Sequence, residues 1–294
     1  MLERYYNPKF FSPLYQYTDQ NGLMGVLQSR SMWMSDLRTM NDPRELTFAQ
    51  NFYKPMIHRW CNFRFNGAAR ENAASYIDAR LTTDINDFTF FSASFCPDRD
   101  SQHLWNNYAD NGRGASIGFR PEILFSLGQP LEVKYLDTSK NNVAEQFIQQ
   151  FDWQYKQEID LTIAIKGFPI PITALSTAMR AIYVGTKEAA QWSEEKEVRV
   201  TWVQDKHPTD EILQNPYWPS GNRRHLPVHN RNGKNGPVDY IVRSFAPDVI
   251  SANPRNHLYE IILGSQCPLS VDEVKASVFE LNYPPIPVSR QGEQ

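Results

Sequence analysis

The segment Glu195-Lys196-Glu197-Val198-Arg199-Val200-Thr201-Trp202-Val203 constrains the fold more than any other part of the chain. Side chains of an extended backbone point alternately to opposite faces, and β-branched and aromatic residues favour that conformation. The alternation predicts a strand over 195–203 with Val198, Val200 and Trp202 on a core face, and it puts Glu194 and Lys196 in register with them. Glu195, Glu197, Arg199 and Thr201 then share the other face. Either that face is solvated and holds a structural Glu–Arg pair, or it lines a cleft. In a cleft, neighbouring carboxylates shift each other's titration and suit acid–base or charge-stabilising work. Just upstream, Gln191-Trp192 offers an aromatic as a substrate platform or a loop anchor.

Around this strand the chain reads as short strands interspersed with helices. A strand is expected over 14–17, then Thr18-Asp19 as a helix cap, and a helix with Leu23, Val26 and Leu27 on one face that ends near Ser29. Residues 32–35 read as extended, Asn41-Asp42-Pro43 as a turn, and 44–82 as largely helical. Further strands are expected over 88–95, 115–119, 131–135, 239–243 and 259–263, with helix over 101–109 and over much of 140–184. The stretch 205–237 is polar and rich in Pro, Gly and Asn, and reads as a long loop. Ser270-x-x-Glu273 is a capping box that opens a last helix. Without strict βαβ alternation or a linker, the expectation is an α+β fold in a single domain over 1–294.

A formal charge of −3, from 30 Lys and Arg against 33 Asp and Glu, excludes a global basic field drawing the chain to nucleic acid or an anionic membrane. The three cysteines, Cys61, Cys96 and Cys267, are too scattered for a disulfide framework or a CxxC zinc site, and they suit a reducing, cytoplasmic compartment. MLERYYNPKFF lacks the apolar core of a secretory signal, and no apolar run reaches the roughly 18 residues of a membrane span. The six histidines show no HxxxH or HxH spacing. No GxGxxG, GxxxxGK[ST] or GxSxG occurs.

Five blocks resemble the prokaryotic family known as domain of unknown function 2971. They are Leu14-Tyr15-Gln16-Tyr17 with Leu27 and Trp33; Asn41-Asp42-Pro43 with Glu45; Ser94-Phe95-Cys96 with Leu104-Trp105 and Tyr108; Gly114 with Ile117-Gly118-Phe119; and Lys187, Trp192, Glu195, Glu197 and Arg199. A closing block, Ile261-Ile262-Leu263-Gly264, also fits. Cys96 stands where the family usually shows Ser, and Gln16 where a basic residue is common.

A more distant likeness carries an activity. The opening Tyr15-Gln16-Tyr17-Thr18 and the Glu195-x-Glu197 strand resemble the corresponding parts of ADP-ribosyltransferases. That resemblance implies a split mixed or antiparallel sheet core, elaborated by helices about 44–82 and 140–184, with NAD as substrate and no metal. It places Gln16, Tyr17, Thr18, Tyr108 and Arg199 around NAD, although Gln16 replaces the usual His or Arg. Gln191 and Trp192 fall in the substrate loop. The catalytic group would be Glu197, Glu195 and Ser94. Cleavage of the nicotinamide–ribose bond passes through an oxocarbenium-like state. Glu197 would stabilise the growing charge, Glu195 would orient or deprotonate the acceptor, and Ser94 would position Glu197. The resemblance implies transfer to an unknown acceptor, protein or nucleic acid, or hydrolysis of NAD, with a toxin or anti-phage role.

Trp105 and Tyr108, three apart on a helix, also fit a plain core stripe. Two rival readings of the function come from the residues alone. Glu194-Glu195-Lys196 with Pro97-Asp98 or Pro247-Asp248 has the letters of a metal-dependent nuclease, against which stands the core-face phase of Glu194 and Lys196. A locally basic run, Arg223, Arg224, His225, His229, Arg231 and Lys234, suits a non-enzymatic nucleic-acid or protein-binding module.

Overall fold

The computed structural model describes residues 12–40, 42, 44–68, 70–71, 75, 86–137, 184–206, 225–233, 236–245 and 257–293. The expected helices beyond residue 75 and over 140–183, together with Asn41, Pro43, Arg223, Arg224, Lys234 and Pro247-Asp248, lie outside the described residues.

Strand β1 (Leu14–Thr18) leads into helix α1 (Gln20–Ser29). Asp19 caps this helix by accepting a hydrogen bond from the Gly22 amide at 2.7 Å, which satisfies a donor the helix itself leaves free. Leu23 and Leu27, one helical turn apart, are its buried residues, and Arg30 in the left-handed conformation (φ 49°) ends it. There follow β2 (Ser31–Asp36), α2 (Glu45–Arg64), β3 (Phe88–Phe95), α3 (Gln102–Tyr108), β4 (Ala115–Phe119), α4 (Pro121–Leu127), β5 (Gln129–Glu132), β6 (Lys134–Leu136), β7 (Thr186–Glu188) and a helical turn, α5 (Ala189–Trp192). The described chain closes with β8 (Val198–Asp205), β9 (His229–Gly233), β10 (Gly236–Ser244), β11 (Leu258–Leu263), α6 (Val271–Glu280) and β12 (Val288–Arg290).

The fold is mixed α+β. One sheet has the order β1-β4-β11-β12, antiparallel except for the β11–β12 pair, and a second has the order β5-β8-β3-β2-β10-β9, antiparallel throughout. A third is the parallel pair β6-β7. The two large sheets meet where Tyr15 of β1 and Cys96, just past β3, exchange two backbone hydrogen bonds of 2.8 Å. Their apolar faces share one core, in which Leu14, Ile117 and Ile261 of the first sheet join Met34, Phe91, Val198 and Val200 of the second. Gly114 lies so close to the turn after β1 that a Cβ there would come within 2.0 Å of the Thr18 carbonyl oxygen, so only glycine fits.

Most expected elements stand within a residue or two of their places, and the differences have local causes. The strand expected from residue 195 begins at Val198, because 193–195 form a 3₁₀ turn and Lys196 takes a left-handed conformation (φ 46°). The strand expected over 131–135 breaks at Val133, passing from β5 in the second sheet to β6 beside β7. The expected loop over 205–237 contains β9 and the start of β10, paired as a hairpin. The polar letters of His229–Gly233 belong to an edge strand largely open to water rather than to a loop, and residues 207–224 and 234–235 lie outside the described residues. Among the described residues, no helix is long and apolar enough to cross a membrane.

Candidate functional site

A cleft of about 930 Å³ lies against the junction of the two sheets, within the volume range of small-molecule sites. Its walls come from β1, α1, β2, β3 and α3, and Lys187, Trp192, Glu195 and Glu197 project into it. The face that β2, β3 and β8 turn away from the core is paved with small hydroxyls. Ser35 pairs with Ser92 across β2–β3, and Ser92 pairs with Thr201 across β3–β8. Among the described residues, the buried Ser92 and Ser94 hydroxyls and the Trp192 indole N–H find no hydrogen-bond partner, and all three residues line the cleft. Orphaned buried polar groups are costly in a folded protein, and a ligand in the cleft is one way to satisfy them.

At one end of this floor sits a buried ion cluster. Glu197 accepts from Arg199 Nε at 2.8 Å on Oε1 and from Arg199 Nη2 at 3.0 Å on Oε2. Lys187 Nζ lies 2.8 Å from the same Oε2 and 2.7 Å from Glu195 Oε2, bridging the two carboxylates. The Tyr108 hydroxyl donates to Glu195 Oε1, and the Tyr135 hydroxyl accepts from the Glu197 amide at 2.8 Å. The Lys187 ammonium also lies 5.1 Å from the Trp192 ring centre. Burial by itself would raise the Glu197 pKa. The adjacent charges and hydrogen bonds of Arg199 and Lys187 outweigh it and hold the carboxyl well below the usual range. Burial and the Glu197 charge push the Tyr135 hydroxyl up.

Gln16, Tyr17, Thr18, Ser94, Tyr108, Trp192, Glu195 and Glu197 all border the cleft. Glu195 reaches the cluster from the 3₁₀ turn, not from a strand position two residues from Glu197. Ser94 does not hold Glu197: among the described residues its hydroxyl has no partner, and Arg199 and Lys187 hold that carboxylate. Nor is Arg199 placed to meet a diphosphate: it is 0% exposed, spends Nε and Nη2 on Glu197, and donates from Nη1 to the Val184 carbonyl at 2.6 Å. Tyr17 is packed edge-on against Trp105, 5.1 Å between ring centres, and its hydroxyl is fixed between the Asp98 carbonyl and the Ser101 amide. Of the α3 pair, Trp105 belongs to the core and Tyr108 to the cleft. The Gln191 side chain lies outside the described residues.

The expected core-face phase of Glu194 and Lys196 is reversed. Both are exposed, Glu194 beside His103 at 3.1 Å and Lys196 on Asp98 at 2.7 Å, because the left-handed residue resets the alternation. Of the nuclease letters, Glu195 thus lies in the buried cluster, Lys196 pairs with Asp98 at the surface, and Glu194 turns to His103. Among the described residues, no group of three or more His, Cys, Asp or Glu gathers in a metal-holding arrangement. Lys187 is the site residue that strand phase did not single out. Its only mark in the sequence is its place in the block that holds Trp192 and both glutamates.

No curated protein and no solved structure matches the chain. A family model does match: residues 104–200, which include Trp105, Tyr108, Lys187, Glu195, Glu197 and Arg199, are similar to the family described as "Protein of unknown function (DUF2971)".

Proposed function

We propose that the protein is an NAD-dependent ADP-ribosyltransferase, or an NAD glycohydrolase where water replaces the acceptor, acting in the cytoplasm. The observation that carries this reading is the pairing of two buried carboxylates at one end of a nucleotide-sized cleft, one of them held ionised by Arg199 and Lys187. Two sheets joined at the Tyr15–Cys96 bridge, with the cleft at their junction, support the likeness to a split-sheet transferase core.

In the reaction the bond between ribose C1′ and the nicotinamide nitrogen breaks. Its electron pair leaves with neutral nicotinamide, and positive charge grows on the ribose. A carboxylate with a depressed pKa is a weak base but a durable anion, so Glu197 serves as the charge that stabilises this state. Glu195 takes the proton of the hydroxyl that adds to C1′. Tyr108, at the cleft edge and hydrogen-bonded to Glu195, supplies a flat wall for the nicotinamide ring. Depletion of NAD would suit a toxin or anti-phage effector.

Incubation with NAD labelled in its adenylate half, with and without cell lysate, tests the reading. Wild type is expected to give labelled macromolecules with lysate and free ADP-ribose without it. Glu195→Gln is expected to lose transfer more than hydrolysis. Label remaining wholly in NAD under both conditions would remove this chemistry.

A further inference from the structure

Towards the other end of the same hydroxyl-paved face, on the strands two to four places from β8, lies an aromatic and cationic group that the cleavage chemistry does not use. Trp33 of β2 is 46% exposed although its neighbours Met32 and Met34 are buried, since strand alternation turns it away from the core and towards the cleft. Tyr240 of β10, its diagonal neighbour across the ladder, stacks on it with 4.5 Å between ring centres and 24° between planes. Arg231 of the edge strand β9 holds its guanidinium 5.6 Å from the Trp33 ring centre and 5.9 Å from that of Tyr240. It also donates to the Ser35 hydroxyl at 3.3 Å, and it lines the cleft with Trp33.

We infer that Trp33 and Arg231 form a seat for a nucleobase that carries a phosphate. The base stacks on the open surface of the Trp33 ring, which Tyr240 supports from its other side, and Arg231 takes the phosphate. An indole backed by a second ring is a rigid stacking surface with little conformational freedom to lose. A planar guanidinium at its edge matches a phosphate with two parallel donors. Chain-wide charge argues against a large nucleic-acid footprint, and the seat is correspondingly small: one base and one phosphate, from a free nucleotide or from a single strand. The inference deepens the reading of the cleft as a nucleotide site and rests on it, but its test needs no turnover.

That test titrates the full chain with ADP, with ribose 5-phosphate as a phosphate lacking a base, and with short oligothymidylate beside its abasic analogue. It uses wild type, Trp33→Ala, Trp33→Phe and Arg231→Gln, each checked for an unchanged melting transition. The wild type is expected to prefer ADP over ribose 5-phosphate, or oligothymidylate over the abasic strand, and whichever preference appears identifies the source of the base. Trp33→Ala is expected to weaken the preferred ligand about tenfold or more, and Trp33→Phe much less. Arg231→Gln is expected to weaken it and to flatten its salt dependence. Affinity that ignores the base, or that Trp33→Ala leaves in place, would overturn the seat. Nicotinamide release from NAD supplied to the same protein preparations separates the two claims, since base-dependent binding without release would remove the cleavage chemistry and leave the seat standing.

Discussion

Arg199 sets the energetics of the cluster residue by residue. With no exposed surface and a carboxylate on Nε and Nη2, it neutralises a charge that the core would not otherwise tolerate. Removing one member of a buried ion pair leaves the other uncompensated, so Arg199→Met is expected to destabilise the fold by about 3–5 kcal/mol, measured by urea unfolding. Glu197 also gives the stability a pH slope of known sign. Its folded pKa lies below its unfolded value, so as pH falls the unfolded chain takes up the proton first. The stabilisation is therefore complete above the unfolded value of about 4.3 and is lost as the pH falls below it. A series of melts below pH 5 should show that loss in wild type and a flatter profile in Glu197→Gln. Cys96, at the sheet junction, has its thiol pushed up to about 11 by burial, and Cys61 and Cys267 are buried too. Native protein at pH 8 is accordingly expected to react slowly with a thiol reagent, and fast labelling of one equivalent would contradict that. At this scale the sequence disclosed both glutamates, because charge on a β-branched segment is conspicuous. Lys187 was marked only by the family block it shares with them, since its meeting with them depends on the turns over 189–195.

At the scale of elements, the strands and caps that depend on nearby residues were the legible ones. Phe88–Phe95 and Ala115–Phe119 are strands where the sequence led one to expect them, and the Ser270–Glu273 capping box closes as its spacing implies. The late start of β8 was not legible, because a single left-handed residue, Lys196, resets the alternation without a glycine to announce it. Helix α1 carries a more telling mark. Gly25 sits inside the helix, borders the cleft, and has open space where a Cβ would stand. Glycine at such a position costs about 0.5–1 kcal/mol relative to alanine, and packing does not require it here. Gly25→Ala is expected to raise the melting temperature while weakening whatever the cleft binds. Higher stability with binding unchanged would mean that this wall of the cleft is not in contact with ligand.

At the scale of the whole molecule, the cleft arises from pairings far apart in sequence. β1 bonds to β4 and touches the end of β3, while β10 returns to β2 across most of the chain. Local letters report propensity and face but not partner, so the mixed α+β class was readable and the junction that creates the site was not. The same holds for the hairpin that brings Arg231 to Trp33, whose polar residues read as loop until β10 is paired. The measurement that bears most directly on the account is release of free nicotinamide from NAD by the purified chain, wild type beside Glu197→Gln, with both melting cooperatively. The account expects release above the buffer blank from wild type, lowered at least a hundredfold in the variant, about 2.7 kcal/mol of lost transition-state stabilisation. No release by wild type, or equal release by Glu197→Gln, would contradict it.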